Sequence, residues 1–188
     1  MIAGPLRRTD CSLVSDGAAA IILSATDDAM SMEKAVTFRA AEHVNDFLPL
    51  SSRDMLEMEG PARAWASALA TAGLKLSDLT AVETHDCFTT AELLEYEAMG
   101  LTPKGKGRLA IDEGWTHKDG KLPVNPSGGL KAKGHPIGAT GVSMHILAAM
   151  QALGLAGDMQ VARSGPTAVF NMGGTAVANY VSILEAAK

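Results

Sequence analysis

Two periods of apolar residues run through this chain, one of 2 and one near 3.6, and their order predicts most of its elements. After a Ser15-Asp16-Gly17 turn, the apolar segment Ala18 to Leu23 predicts a short buried strand, followed by a small helix from about Ala25 to Met30. Alternation from Ala35 to Val44 puts Val36, Phe38 and Ala40 on one side and Thr37, Arg39 and Ala41 on the other, a second strand. Gly60-Pro61 opens a helix that Gly73 closes, with Ala62, Trp65, Ala66, Leu69 and Ala70 forming its apolar stripe. Asp78 to Thr84 reads as a strand, and Thr89-x-x-Glu92 is a capping box starting a helix that ends at Gly100. No charged residue interrupts Ala139 to Gly154, which predicts a buried helix. Ala168 to Asn171, a Gly173-Gly174 break and Thr175 to Leu184 predict two closing strands. The alternation implies an α/β domain in which helices cover a mixed sheet of five strands.

Three stretches lack either period. Met1 to Thr9, with two Arg, a Pro and a Gly, reads as a frayed or truncated start. Thr102 to Leu122 mixes glycines, charges and Trp115 and predicts a long excursion without regular structure. Asn125 to Gly141 is so rich in glycine, with Pro126 and Pro136, that neither helix nor strand is expected there. A flexible linker would favour Ser and Gly without interspersed Leu, Ile and His, so this segment reads instead as a loop of fixed shape presenting His135.

Composition narrows the function classes. The chain has 188 residues, 47% hydrophobic and 20% charged, as ordinary globular protein does. A net charge of -5 without a Lys/Arg cluster argues against a nucleic-acid partner. The apolar run near Val142 to Ala156 is too short and too polar to span a bilayer. Cys11 and Cys87 make no disulfide framework, and with no signal peptide evident the expectation is reduced thiols and a cytoplasmic location.

Candidate chemistry gathers at two places. His85-Asp86-Cys87 stands at the predicted end of a strand, where open α/β sheets bind ligands. Cys87 just precedes the Thr89 cap, and a helix N-terminus lowers a thiol's pKa from about 8.5. Taken alone, Cys87 reads equally as a small buried hydrophobe and His85 as a satisfied core residue. His135, between Gly134 and Pro136, is harder to explain by packing. His43, His117 and His145 are weaker candidates, His145 being expected to hydrogen-bond within the core, and Cys11 is expected to be buried. No His/Cys spacing of a zinc site and no GxxxxGK[ST] phosphate loop occurs, so no metal is expected.

Together these motifs resemble a known family. Asn125-Pro126-Ser127-Gly128-Gly129 with Gly134-His135-Pro136-Ile137-Gly138-Ala139-Thr140-Gly141 is similar to the signature loop of thiolases. His85-Asp86-Cys87-Phe88 resembles the form found in sterol-carrier-protein-linked thiolases, where most members have Asn-Glu-Ala-Phe. Gly100-Leu101-x-Pro103-x-Gly105-x-Gly107 and Ser15-Asp16-Gly17-Ala18-Ala19-Ala20 are similar to the same subfamily. Most thiolases place a second reactive cysteine in a C-terminal Cys-x-Gly segment; here that segment reads Phe170-Asn171-Met172-Gly173-Gly174.

The resemblance implies a thiolase-like C-terminal domain over residues 31–188, preceded at 1–30 by the last strand and connecting helix of an N-terminal domain. It implies acyl exchange between coenzyme A and a carbon nucleophile, by thiolytic cleavage of 3-oxoacyl-coenzyme A or by condensation, with coenzyme A as substrate and no covalently bound cofactor. His135 would activate a nucleophilic cysteine and help hold the thioester oxygen. His85 would line an oxyanion hole and Cys87 would move the proton at the α-carbon, with Asn125, Gly134, Gly173 and Gly174 shaping the substrate loops. The family's nucleophile belongs to the N-terminal domain, so the expected partners are an acyl-coenzyme A and either an N-terminal thiolase half or a second copy, in a dimer. Two alternatives are a non-catalytic acyl-coenzyme A binder or scaffold, and part of a thiolase-like retro-aldolase. The joint presence of His85, Cys87 and His135 favours thiolase chemistry over the lyase, which needs no acyl-accepting thiol.

Overall fold

Four strands carry the domain: β1 (Val36–Asn45), β2 (Ala81–Thr84), β3 (Thr167–Gly173) and β4 (Ala178–Ala186). The computed structural model describes residues 1–188. The strands lie in the order β1-β4-β3-β2, with β4 antiparallel to both its neighbours and β2 parallel to β3. The sheet is mixed, as the sequence implies, but has four strands where five were expected. Ala18 to Leu23 forms no ladder, and Ile22 is 94% exposed. An apolar run becomes a strand only where another strand takes its backbone hydrogen bonds. Here the outer edge of β2 is already occupied: Val82 N–H donates to the Pro123 carbonyl at 2.9 Å, and Asn125 N–H to the Val82 carbonyl at 2.8 Å.

Helices cover both faces. After the short α1 (Thr26–Ala29), α2 (Glu59–Ala72) packs on β1 and β4 and touches α3 (Thr89–Ala98), while α6 (Ile137–Ala152) lies across β2, β3 and β4. β3 is buried on both sides. Ala168 and Phe170 point into the larger core with Trp65, Tyr96, Val181 and Ile183, whereas Val169 points to Leu130, Met144, Ala148 and Leu184 beneath α6. Gly73, in the left-handed conformation that suits glycine, ends α2.

Several local expectations shift. The buried face of α2 carries Pro61, Ala64, Trp65, Ala68 and Ala72, with Ala66 and Ala70 exposed. Alanine occurs all round this helix, so its pattern marks the inward face only weakly, through Trp65 and the partly buried Leu69. In β1 the register shifts between Phe38 and Ala40, a bulge that places these two residues on opposite faces. The capping box does not form: Phe88 is the N-cap of α3, the Thr89 hydroxyl donates to Asp10 at 3.2 Å, and Glu92 turns to other partners. Residues 102–122 contain the short helix α4 (Arg108–Asp112), with Thr102, Ala110, Thr116 and Leu122 buried. The glycine-rich stretch likewise holds α5 (Gly129–Lys133) and the first turn of α6. No helix is long and apolar enough to cross a membrane.

The two kinds of apolar site should differ sharply under urea unfolding. Phe170→Ala is expected to destabilise the domain by about 3–5 kcal/mol, and Ile22→Asp to change it by less than about 0.5 kcal/mol, as at an unpaired surface position. A large loss for Ile22→Asp would place residues 18–23 inside a packed sheet.

Candidate active site

Because β2 and β3 run parallel with Thr84 opposite Phe170, their carboxyl ends lie side by side. The chain leaving β2 therefore sets His85 next to Asn171, whose Oδ1 is 2.5 Å from His85 Nδ1. His135 reaches the same place from the glycine-rich loop, following α5, with its Nδ1 2.7 Å from the Thr140 hydroxyl. The two imidazoles meet edge to face, centroids 5.0 Å apart at 83°. They and Cys87 line one cleft of about 580 Å³, together with Asn171, Gly173 and Gly174. Its apolar wall comes from Met55, Leu56 and Met58 ahead of α2 and from Leu94 of α3.

Asp86 faces the other way and joins the two parts of the site. Its side chain is 3% exposed and accepts the Leu130 N–H at 2.6 Å, which caps α5 and so places the Gly134-His135 turn that follows. Gly129 has φ +64°, and a Cβ there would overlap the Asp86 carboxylate, so only glycine allows this approach. Lys131 extends the junction, with Nζ 3.4 Å from Asp86 and 2.9 Å from Glu92 of α3. From the other side, Cys11 to Val14 stitches the same two loops. Ser12 N–H donates to the Cys87 carbonyl at 2.8 Å, and His135 N–H to the Leu13 carbonyl at 2.9 Å. Residues 11–14 are therefore tied to both loops, and Cys11 is half-buried rather than buried.

Burial dominates the electrostatics. It lowers the pKa of His85 against the opposing hydrogen bond from Asn171, and the nearby His135 adds to the lowering. It lowers that of His135 too, against the charge of Asp86. The Cys87 thiol is pushed up to about 11, by burial first and then by Glu95 and Asp86. The helix start does not produce the lowered thiol that its position suggests, because desolvation and neighbouring carboxyl groups outweigh a terminal dipole. At neutral pH the cleft presents two neutral imidazoles and one protonated thiol.

Among the residues singled out from sequence, His85, Cys87, His135, Gly173 and Gly174 come together around the cleft. Asn125 and Gly134 are absent from its lining. Asn125, at φ +50°, accepts the Thr84 N–H at 2.8 Å and so holds the end of β2. Gly134 packs beside Ser15. His145 bonds the Gly141 carbonyl at 2.7 Å and Ser182 at 3.0 Å, the core role expected of it. Two residues were not singled out, Asn171 and Thr140. The available signal for Asn171 was a polar side chain inside an apolar strand run shortly before a glycine pair; for Thr140 it was its place in the first turn of a helix, four residues after Pro136, where a hydroxyl bonds back to the carbonyl.

Comparison with known proteins relates the chain to a family. Residues 41–186 match the family described as thiolase C-terminal domain-like. The chain is similar to acetyl-CoA acetyltransferase of Methanothermobacter thermautotrophicus, 41% identical over 177 residues, covering 93% of this chain and 46% of that protein. It is also similar to sterol carrier protein 2 of Oryctolagus cuniculus, 40% identical over 170 residues, covering 87% of this chain and 31% of that one. It thus spans about half the length of the first relative and a third of the second. In fold it is like an aldolase described as Ltp2-ChsH2(DUF35), with TM-score 0.85 at 21% identity over 100% of this chain and 49% of the other.

The state of the thiol can be read by alkylation. With Cys11→Ser in the background, Cys87 at pH 8 should react with iodoacetamide about 10²-fold more slowly than a free cysteine, with a rate still rising beyond pH 10. Intact-mass kinetics that plateau below pH 8 would show a stabilised thiolate instead.

Proposed function

The chain belongs to the thiolase C-terminal domain-like family, and on that premise we propose that it forms the proton-handling half of a thiolase-type acyltransferase site. The substrates are 3-oxoacyl-coenzyme A and acetyl-coenzyme A thioesters. One observation carries this reading: His85 and Cys87 at the end of β2, and His135 from a loop about 50 residues further along, share a single open cleft beside an apolar wall.

Each group has a task suited to its state. In the cleavage direction a cysteine thiol adds to the 3-oxo carbon, and His135, neutral because burial lowers its pKa, takes the thiol proton. The bond between C2 and C3 then breaks, its electron pair forming a thioester enolate. Cys87, kept protonated by its raised pKa, delivers a proton to C2 and releases acetyl-coenzyme A. Coenzyme A thiol, giving its proton back to Cys87, next displaces the acyl group from the cysteine, whose sulfur recovers the proton held on His135. His85 faces the thioester oxygen, where developing charge is stabilised; a well-placed donor is worth about 10²–10³ in rate.

The acyl-accepting cysteine comes from outside these residues. Cys11 and Cys87 are the only cysteines, and Cys11 does not line the cleft. Phe88, Ile137, Leu56 and Val14 stand exposed around the site and form the apolar rim on which a nucleophile-bearing domain docks.

Complementation tests this. The chain alone should not cleave acetoacetyl-coenzyme A. Mixed with an N-terminal thiolase domain carrying the nucleophile it should, and Cys87→Ala or His135→Ala should each lower the rate on the order of 10²–10⁴-fold. Turnover by the chain alone, or full activity in Cys87→Ala, would refute the assignment.

A further inference from the structure

Both imidazoles in the cleft are held by the same nitrogen. His85 Nδ1 meets Asn171 Oδ1 at 2.5 Å, and His135 Nδ1 meets Thr140 Oγ1 at 2.7 Å. Neither Nε2 has a protein partner, and neither is among the sealed polar atoms, so on both rings it is the nitrogen open to the cleft. The partners decide where the ring proton sits. An amide oxygen accepts and never donates, so Asn171 Oδ1 requires a proton on His85 Nδ1. Thr140 has one hydroxyl proton and stands in the first turn of α6, where a threonine bonds back to the carbonyl four residues earlier. It donates to the Pro136 carbonyl at 3.1 Å, leaving its lone pairs to accept from His135 Nδ1–H. Thr140 is buried and cannot turn to solvent for another partner.

We propose that Asn171 and Thr140 are positioning residues that lock His85 and His135 as Nδ1–H tautomers, so that both neutral rings turn an Nε2 lone pair to the cleft. For its catalytic consequence this rests on the thiolase reading above. The two rings then start as proton acceptors. His85 becomes a donor to a thioester oxyanion only after its Nε2 takes a proton, and at 5.0 Å the two rings repel a second charge, so the pair carries one mobile proton at a time. In the cleavage direction that proton leaves the nucleophilic cysteine thiol, resides on the Nε2 facing the oxyanion while the oxyanion exists, and returns to the same sulfur when the acyl group departs. No proton is gained or lost over the cycle.

The tautomers are visible directly. A long-range ¹H–¹⁵N correlation spectrum of the histidine-labelled 188-residue chain, at a pH above both imidazole titrations, distinguishes a protonated Nδ1 from a protonated Nε2. The expected result is Nδ1–H for both residues. Thr140→Val should switch His135 to Nε2–H while Thr140→Ser retains the native form, and Asn171→Leu should switch His85 only. In the complemented enzyme, Thr140→Val should lower kcat on the order of 10²–10⁴-fold with KM little changed, and Thr140→Ser should restore it. Nε2–H on either ring of the unmodified protein would overturn the proposal, and that spectrum needs no active enzyme. An inactive complemented protein with both tautomers as stated would count against the thiolase reading and leave the tautomer assignment standing.

Discussion

The capping of α5 by the Asp86 carboxylate is the interaction on which the site depends. One buried acceptor sits between His85 and Cys87 in sequence and fastens the helix start from which the His135 loop is suspended. On one side β2 is buried and held by β3 at one edge and by residues 123–125 at the other; on the other side α5 cannot shift without losing its bond to Asp86. Lys131 reinforces the joint. Burial acts to lower its pKa, yet the hydrogen bond and charge of Glu92, with Asp86, leave it raised, so it remains a cation bridging the loop to α3. A charged pair half out of water gains more from holding geometry than from net stability, which desolvation largely offsets.

That anchoring lets the cleft keep polar groups in unusual states. A cysteine beside a helix start would ordinarily be more acidic, but Cys87 is pushed the opposite way by burial. The imidazoles are pushed toward neutrality by the same cause. Desolvation therefore sorts the three groups into one proton donor and two acceptors. Cys11 to Val14 serves the same end from outside, closing backbone hydrogen bonds to both loops before the chain runs on into the exposed apolar segment 18–23.

Much of this was legible in the sequence. Period-two and period-3.6 patterns located all four strands and the long helices, because β3, β4 and α6 bury continuous apolar faces. Gly134-His135-Pro136 and His85-Asp86-Cys87 stood out because imidazoles at element boundaries have little packing use. What escaped depended on partners that a linear pattern does not contain. The face of α2 is chosen by β1 and β4, since alanine on every side expresses no preference. The bulge at Arg39 follows from pairing with β4. Glycine density suggested that 125–141 excludes helix, whereas Gly128 and Gly129 form a helix start shaped to admit Asp86. Asn125 looked like a site residue by its motif and is a staple for β2, while Asn171, within a strand, is the one that touches an imidazole.

The central claim is that two loops 50 residues apart in sequence hold their imidazoles in contact within this one domain. The nuclear Overhauser spectrum of the isolated chain tests it most directly. The account predicts a cross-peak between the ring protons of His85 and His135, whose centroids lie 5.0 Å apart, and its loss in Asp86→Ala. Absence of that cross-peak in the unmodified, folded protein would contradict the account.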